Sequence, residues 1–335
     1  MPTAEGVALL SRVADALYWI GRYLERAEHT ARLLDVHTGL ALDAAASEAE
    51  WTELIDLCRD AAEYPPGWPV DWEHVARFVV QHPGNQNAIV ICLTVARENA
   101  RGVRSAVSSE LWEQINGLYR SARLEVETGT WSSHPHAFLQ SVKQGAHLFH
   151  GLAEETMLHD EGVAFLRLGK YLERAVNTVR LLELKWTRLM RADGSPDLLR
   201  CAATLKMCSA FEAYRRFYAA PVEPARVVEF LLLNPSFPRS ALWASARVAE
   251  ESRRIARHGR GGRGHARLFG QLRAQLESTS LDELASTGLV PFLQSFRRRA
   301  WEAEQLLTRA FFLRDERPLA PGRPIFAPQQ QQQQQ

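Results

Sequence analysis

Cysteine is scarce in this chain: four in 335 residues, Cys58, Cys92, Cys201 and Cys208, with no CxxC pair among them. That excludes a disulfide scaffold and a cysteine-rich zinc site, and apolar surroundings such as AIVICLTVA around Cys92 mark reduced core thiols. Lysine is scarcer still beside arginine, with 4 Lys in a total of 40 basic residues. The net charge of +1 lacks the broad field of a nucleic-acid binder, so any anion binding must be local. No apolar run approaches the length of a bilayer span, and the amino terminus MPTAEGVALLSRVADAL lacks a basic region followed by an unbroken apolar core, which makes the cytoplasm the expected location. Alternating β-branched runs bounded by turns are missing, so strands are expected to be absent or trivial. With no strand there is no glycine loop placed to cradle a phosphate.

What the chain does have is helical period. From Leu10 the apolar or small positions run Leu10, Val13, Leu17, Ile20, Leu24, Ala27, Ala31 and Leu34, at alternating spacings of three and four that describe one continuous helix seam. The same seam recurs 148 residues later as Leu158, Glu161, Phe165, Leu168, Leu172, Ala175, Val179 and Leu182, with Glu161 the polar exception. Between Ala14–Val36 and Gly162–Leu184, 11 of 23 positions are identical, where composition alone gives about one or two. At an offset of 152, Pro83 matches Pro235, Glu98 matches Glu250 and Arg101 matches Arg253.

These observations predict an all-α protein, an internally duplicated multi-helix bundle with a pseudo-two-fold repeat of about 150 residues. The first half covers residues 1–157 and the second 158–315, forming one body of about twelve helices that shares its long helices across the dyad. Helix breaks are expected at YPPGWPVD, HPGN, AAPVEPA, NPSFP, HGRGGRG and STGLVP. Residues 316–335, Pro-rich and then pure Gln, read as a disordered tail.

Both halves keep Tyr-Leu-Glu-Arg-Ala, so Glu25-Arg26 and Glu173-Arg174 stand out while neighbours differ: Glu28, His29 and Trp19 correspond to Val176, Asn177 and Arg167. Three readings of the pairs stay open. One is a solvated face, with Arg22 and Glu25 making a weak i, i+3 surface pair. Another is a buried network in which Glu25 meets Arg174 and Glu173 meets Arg26, with Arg97, Glu98 and Arg101 nearby. The third is a ligand or partner site built from that network. A buried pair of this kind calls for the planar fork of Arg.

Other clusters are weaker. His147, His150 and Glu154 sit at helical spacings, as do Glu155 and His159, so a metal face is geometrically possible. The second half supplies no matching Glu-x-x-His, and no metal is expected. Arg253, Arg254, Arg257, Arg260, Arg263 and Arg267 surround a glycine-rich loop, a local basic patch suited to a phosphate or an acidic partner. No catalytic residue and no cofactor site is legible.

The segments LSRVADALYWIGRYLERAEHTARLLDV, NQNAIVICLTVARENARGVRSAVSSELWEQIN and DEGVAFLRLGKYLERAVNTVRLLEL resemble the bacterial alpha-E family, an all-helical domain named for its Glu-Arg motif. The resemblance runs from about Leu10 to Leu313, and the family's signature maps onto Glu25-Arg26 and Glu173-Arg174. Val163 and Ala164 stand where the family often has an aromatic residue. Members tend to be encoded beside ATP-grasp ligases and transglutaminase-like proteins. The resemblance therefore implies a non-catalytic helical partner or scaffold in a peptide or amide-bond synthesis or modification system. The alternative is an enzyme of unrecognised type holding a carboxylate or phosphate substrate through the Glu-Arg cluster.

Overall fold

The long seam of threes and fours becomes the first helix, and its counterpart 148 residues on becomes the eighth. A computed structural model describes residues 11–43, 48–58, 63–258 and 263–312. The tail at 316–335, Leu10 and Arg260 lie outside the described residues. In chain order the helices are α1 (Ser11–Asp43), α2 (Glu48–Cys58), α3 (Trp72–Gln81), α4 (Ile89–Gly102), α5 (Ser109–Thr128), α6 (Thr130–Ser133) and α7 (Pro135–Thr156). They continue as α8 (Glu161–Lys185), α9 (Leu198–Met207), α10 (Phe211–Tyr218), α11 (Pro224–Leu233), α12 (Ala241–His258), α13 (Gly264–Ser278), α14 (Leu281–Thr287) and α15 (Leu289–Phe311).

Fifteen α-helices among the described residues exceed the twelve expected from the sequence. The surplus is short local structure that no periodic seam announces. The four-residue α6 begins at Gly129 (φ 74°), the eight-residue α10 stops at Ala219 (φ 47°), and the seven-residue α14 stops at Gly288 (φ 88°). A positive φ ends a right-handed helix, and glycine adopts it without the Cβ penalty. The one bridge between extended residues in the described chain joins Met190 and Pro196.

Helix starts follow side-chain capping. Asp71, Ser108, Asp160, Asp197 and Ser280 each accept from backbone N–H groups in the first turn of α3, α5, α8, α9 and α14. Asp160 also corrects the second seam. Leu158 precedes the capped start of α8 and is 81% exposed, so the buried stripe begins with Val163 and Phe165. From there Leu168, Leu172, Ala175, Val179 and Leu182 are buried, as are Leu17, Ile20, Leu24, Ala27, Ala31 and Leu34 of α1. Burying each large aliphatic side chain contributes roughly 1.5–3 kcal/mol.

α1 and α8 pack on each other at the centre. α4 and α7 pack on α1 and are bridged by α5, while α12 and α15 pack on α8 and are bridged by α13, with matching neighbour relations in the two sets. One continuous hydrophobic cluster draws on α1 through α15. No helix among the described residues is long and apolar enough to cross a membrane.

Candidate functional site

The site begins with two glycines. An added Cβ at Gly21 would lie 2.2 Å from the Leu166 carbonyl oxygen, and one at Gly169 would lie 2.1 Å from the Tyr18 carbonyl oxygen. Only residues without side chains let α1 and α8 touch backbone to backbone there. One turn further along each helix, four residues on, stand Glu25 and Glu173, each followed by its arginine. The close crossing carries each motif into reach of the other.

Arg174 donates from Nε and Nη2 to the two carboxylate oxygens of Glu25, at 2.7 and 2.8 Å. Arg26 donates from Nε and Nη2 to the two oxygens of Glu173, at 2.7 and 3.1 Å. Each arginine has a third contact to the loop that starts its flanking helix: Arg26 Nη1 to Asn87 Oδ1 at 3.0 Å before α4, and Arg174 Nη1 to the Pro238 carbonyl at 3.3 Å before α12. Each also lies over a tyrosine ring, Tyr23 for Arg26 and Tyr171 for Arg174. Forked, two-bond pairing of this kind is specific to guanidinium and carboxylate.

Both carboxylates are sealed in, Glu25 at 2% and Glu173 at 3% exposure. Burial by itself raises a carboxyl pKa, but here the guanidinium partners outweigh it. Arg26 and Arg22 hold Glu173 at about 2, and Arg174 and Arg239 hold Glu25 well below the usual range. Arg239 reaches Glu25 at 3.3 Å and Glu28 at 2.9 Å, and Glu28 also pairs with Arg32 and His147. Burial and the neighbouring Arg239 lower Arg32 to about 9 and His147 to about 4, so His147 is neutral.

The surface pair between Arg22 and Glu25 does not occur. Arg22 is buried and donates instead to Glu173, Glu304 and the Tyr18 hydroxyl, while Tyr18 donates to Glu304 at 2.6 Å. Helix contact places Arg22 under α15, a neighbour that the local i, i+3 spacing does not reveal.

Arg97, Glu98 and Arg101 do not join the network. Arg97 bonds Asn116 at 3.0 Å and pairs with Glu98, which also takes Arg101 at 2.5 Å. The buried residues of α4 are Ile89, Cys92, Leu93, Val95, Ala96 and Ala100, so Glu98 and Arg101 fall on its outer side and Arg97 on its flank, over Trp112 and Tyr119 of α5. In the basic patch, Arg253 and Arg257 are exposed and Arg254 donates to the His159 carbonyl.

Between α7, α8 and α12 opens a cleft of about 520 Å³, with Arg174 and Tyr171 among its lining residues. His147, His150 and Glu154 also line it, so the three residues suspected as a metal face are brought together. Two are otherwise engaged: Glu154 is forked to Arg167, and His147 meets Glu28 at 3.2 Å. His159 bonds the Glu154 carbonyl oxygen. Among the described residues no group of three or more His, Cys, Asp or Glu is arranged to hold a metal ion.

A family described as a predicted alpha-helical domain with a conserved ER motif matches residues 9–312. The chain belongs to the Alpha-E family. Within this Alpha-E chain, the Glu-Arg pairs are the two forks at the α1–α8 crossing. It is 25% identical over 260 residues to uncharacterised proteins of Mycobacterium bovis and of two Mycobacterium tuberculosis strains. Each match covers 71% of this chain, which spans only 29% of the relative's length. No solved structure matches the chain.

Several residues of the Alpha-E site escaped the sequence reading. Gly21 and Gly169 carried a usable signal, since both lie among the identical positions, four residues ahead of each glutamate. Asn87 and Arg239 carried none, being distant in sequence from the motifs they touch, and neither did Glu304, which reaches Arg22 and Tyr18.

Proposed function

We propose that the Alpha-E chain is a cytoplasmic, non-catalytic helical partner in a peptide or amide-bond synthesis or modification system, working beside an ATP-grasp ligase or a transglutaminase-like protein. The observation that carries this reading is the closed state of the Glu-Arg pairs. Both carboxylates are buried, and both guanidinium forks are fully engaged by the opposite helix, so the motif acts as the clamp of the α1–α8 crossing. A substrate held by the pairs themselves would have to displace these bonds from a sealed position. We read the matching helix sets as two copies of one unit, residues 1–157 and 158–315, locked together by that clamp.

The mycobacterial relatives support a modular role, since the matched stretch is under a third of their length. A body locked at its centre leaves its outer faces for contact. The exposed Arg253 and Arg257 near the end of α12, whose Arg254 reaches the His159 carbonyl next to the largely exposed Leu158, offer a basic face with an apolar anchor to an acidic partner.

The test is co-expression with an ATP-grasp ligase or a transglutaminase-like protein encoded beside the gene, followed by size-exclusion chromatography at low and high salt. Co-elution that weakens with salt, and with Arg254, Arg257 and Arg260 changed to Glu, is the expected result. ATP turnover by the isolated chain that Arg26→Ala abolishes would overturn the reading.

A further inference from the structure

Arg22 and Lys170 occupy matching places, each four residues before a fork arginine and one residue after a crossing glycine. Their surroundings differ. Arg22 has a carboxylate from α15, Glu304, and a phenol hydroxyl, Tyr18, which between them fill its side of the crossing. On the other side Leu166 stands 148 residues after Tyr18, and no carboxylate pairs with Lys170 among the described residues. That vacancy is the cleft between α7, α8 and α12. Where one half supplies an internal carboxylate to its cation, the other presents its cation to a volume of about 520 Å³, within the range of small-molecule sites.

The groups around Lys170 are also short of partners. His150 is 7% exposed, and neither of its ring nitrogens has a hydrogen bond among the described residues. Arg247 Nε and Glu251 Oε2 are likewise buried without hydrogen bonds. Buried polar groups of this kind are ordinarily satisfied, and these four atoms belong to three residues that line one cleft, which points to a molecule that satisfies them. The other cations are already paired: Arg167 with Glu154, Arg174 with Glu25, Arg247 with Glu250. A monoanion therefore matches the cleft better than a dianion, which would leave charge uncompensated beside three glutamates.

We propose that this cleft binds a small amino-carboxylate. Its carboxylate takes the place that Glu304 fills opposite, accepting from Lys170, His150 and Arg247 Nε, and its N–H donates to the free oxygen of Glu251. A free amino acid and the carboxyl-terminal residue of a peptide present this same chemistry. The inference stands apart from the partner reading, because its readout is small-molecule binding by this chain alone, so either can fail alone.

The experiment titrates the full-length protein with L-alanine, L-alanyl-L-alanine, acetate and inorganic phosphate by isothermal titration calorimetry. Saturable binding of alanine or the dipeptide is expected, with acetate and phosphate at least about tenfold weaker; preference between the first two identifies the source. Lys170→Met should weaken binding about tenfold or more, and Glu251→Gln should narrow the gap between alanine and acetate. Should either variant fail to fold, the wild type decides. Acetic anhydride labelling read by mass spectrometry should show the bound ligand protecting Lys170 and leaving Lys206 unprotected. Absence of saturable binding up to about 10 mM, tighter binding of phosphate, or labelling of Lys170 unaffected by ligand would each overturn the proposal.

Discussion

Gly21→Ala is the most direct probe of the crossing that builds the Glu-Arg pairs. In an open helix position this substitution stabilises by about 0.4–1 kcal/mol, because alanine has less backbone freedom to lose. At Gly21 the new methyl would sit 2.2 Å from the Leu166 carbonyl oxygen and 2.9 Å from the Lys170 backbone nitrogen, both backbone atoms that no rotamer change can move. Ordinary contact begins near 3.4 Å, so the helices must part by roughly 1 Å. Separation loosens the packing of α1 on α8 and stretches both forks. Overpacking costs about 1–3 kcal/mol where side chains can adjust, and a rigid backbone contact places this case at about 3 kcal/mol or more. Gly169→Ala should behave alike, and the double variant should cost less than the two single changes added together, since the first has already opened the gap the second needs. Gly117 in α5 and Gly270 in α13 have nothing within 4 Å of an added Cβ and serve as controls, expected to gain about 0.5–1 kcal/mol. Urea unfolding followed by circular dichroism measures all five variants. If Gly21→Ala matches the controls, the crossing is not held at backbone contact and the account of the site is wrong.

Two further predictions concern charge. Glu25→Ala strands the buried Arg174 and should cost about 3–5 kcal/mol, with Arg174→Met added to it recovering part of the loss; additivity within about 0.3 kcal/mol would deny the coupling. Acid should destabilise the protein in two windows. Burial, aided by Lys185 for His37 and Arg239 for His29, lowers these histidines to about 3 and about 4. The unfolded chain therefore binds more protons below its histidine value of 6.5, and their contribution is lost as pH falls from there. Glu173, lowered from 4.5 to about 2, adds stability that is present above pH 4.5 and lost between 4.5 and 2, on the order of 3 kcal/mol. A urea midpoint that stays flat from pH 7 to pH 3 would contradict both assignments.

Much of the fold was legible because helical period is local. The seam from Leu17 to Leu34 names the buried face of α1 without reference to any other helix, and Asp160 or Ser108 marks a helix start from a few neighbouring atoms. The short α6, α10 and α14 escaped because single positive-φ residues bound them, leaving no room for a period to show. Of the candidate site, the retained Glu-Arg pairs pointed to four residues that the structure brings together. Arg97, Glu98 and Arg101 were attached to them wrongly, because similarity between two segments does not say which side of α4 faces α1.

Sequence alone determined that this chain is helical, that Glu25-Arg26 and Glu173-Arg174 recur in matching seams, and that glycine precedes each glutamate by four residues. These are properties of a 3.6-residue period and of identity at a fixed offset. Only the tertiary structure decided that Gly21 and Gly169 meet at backbone contact, that each glutamate answers the arginine of the other helix, and that Glu304 covers Arg22 while Lys170 faces an open cleft. Those outcomes depend on how closely two helices approach and on what a third helix, more than a hundred residues away, places beside them. No local rule of spacing carries that distance.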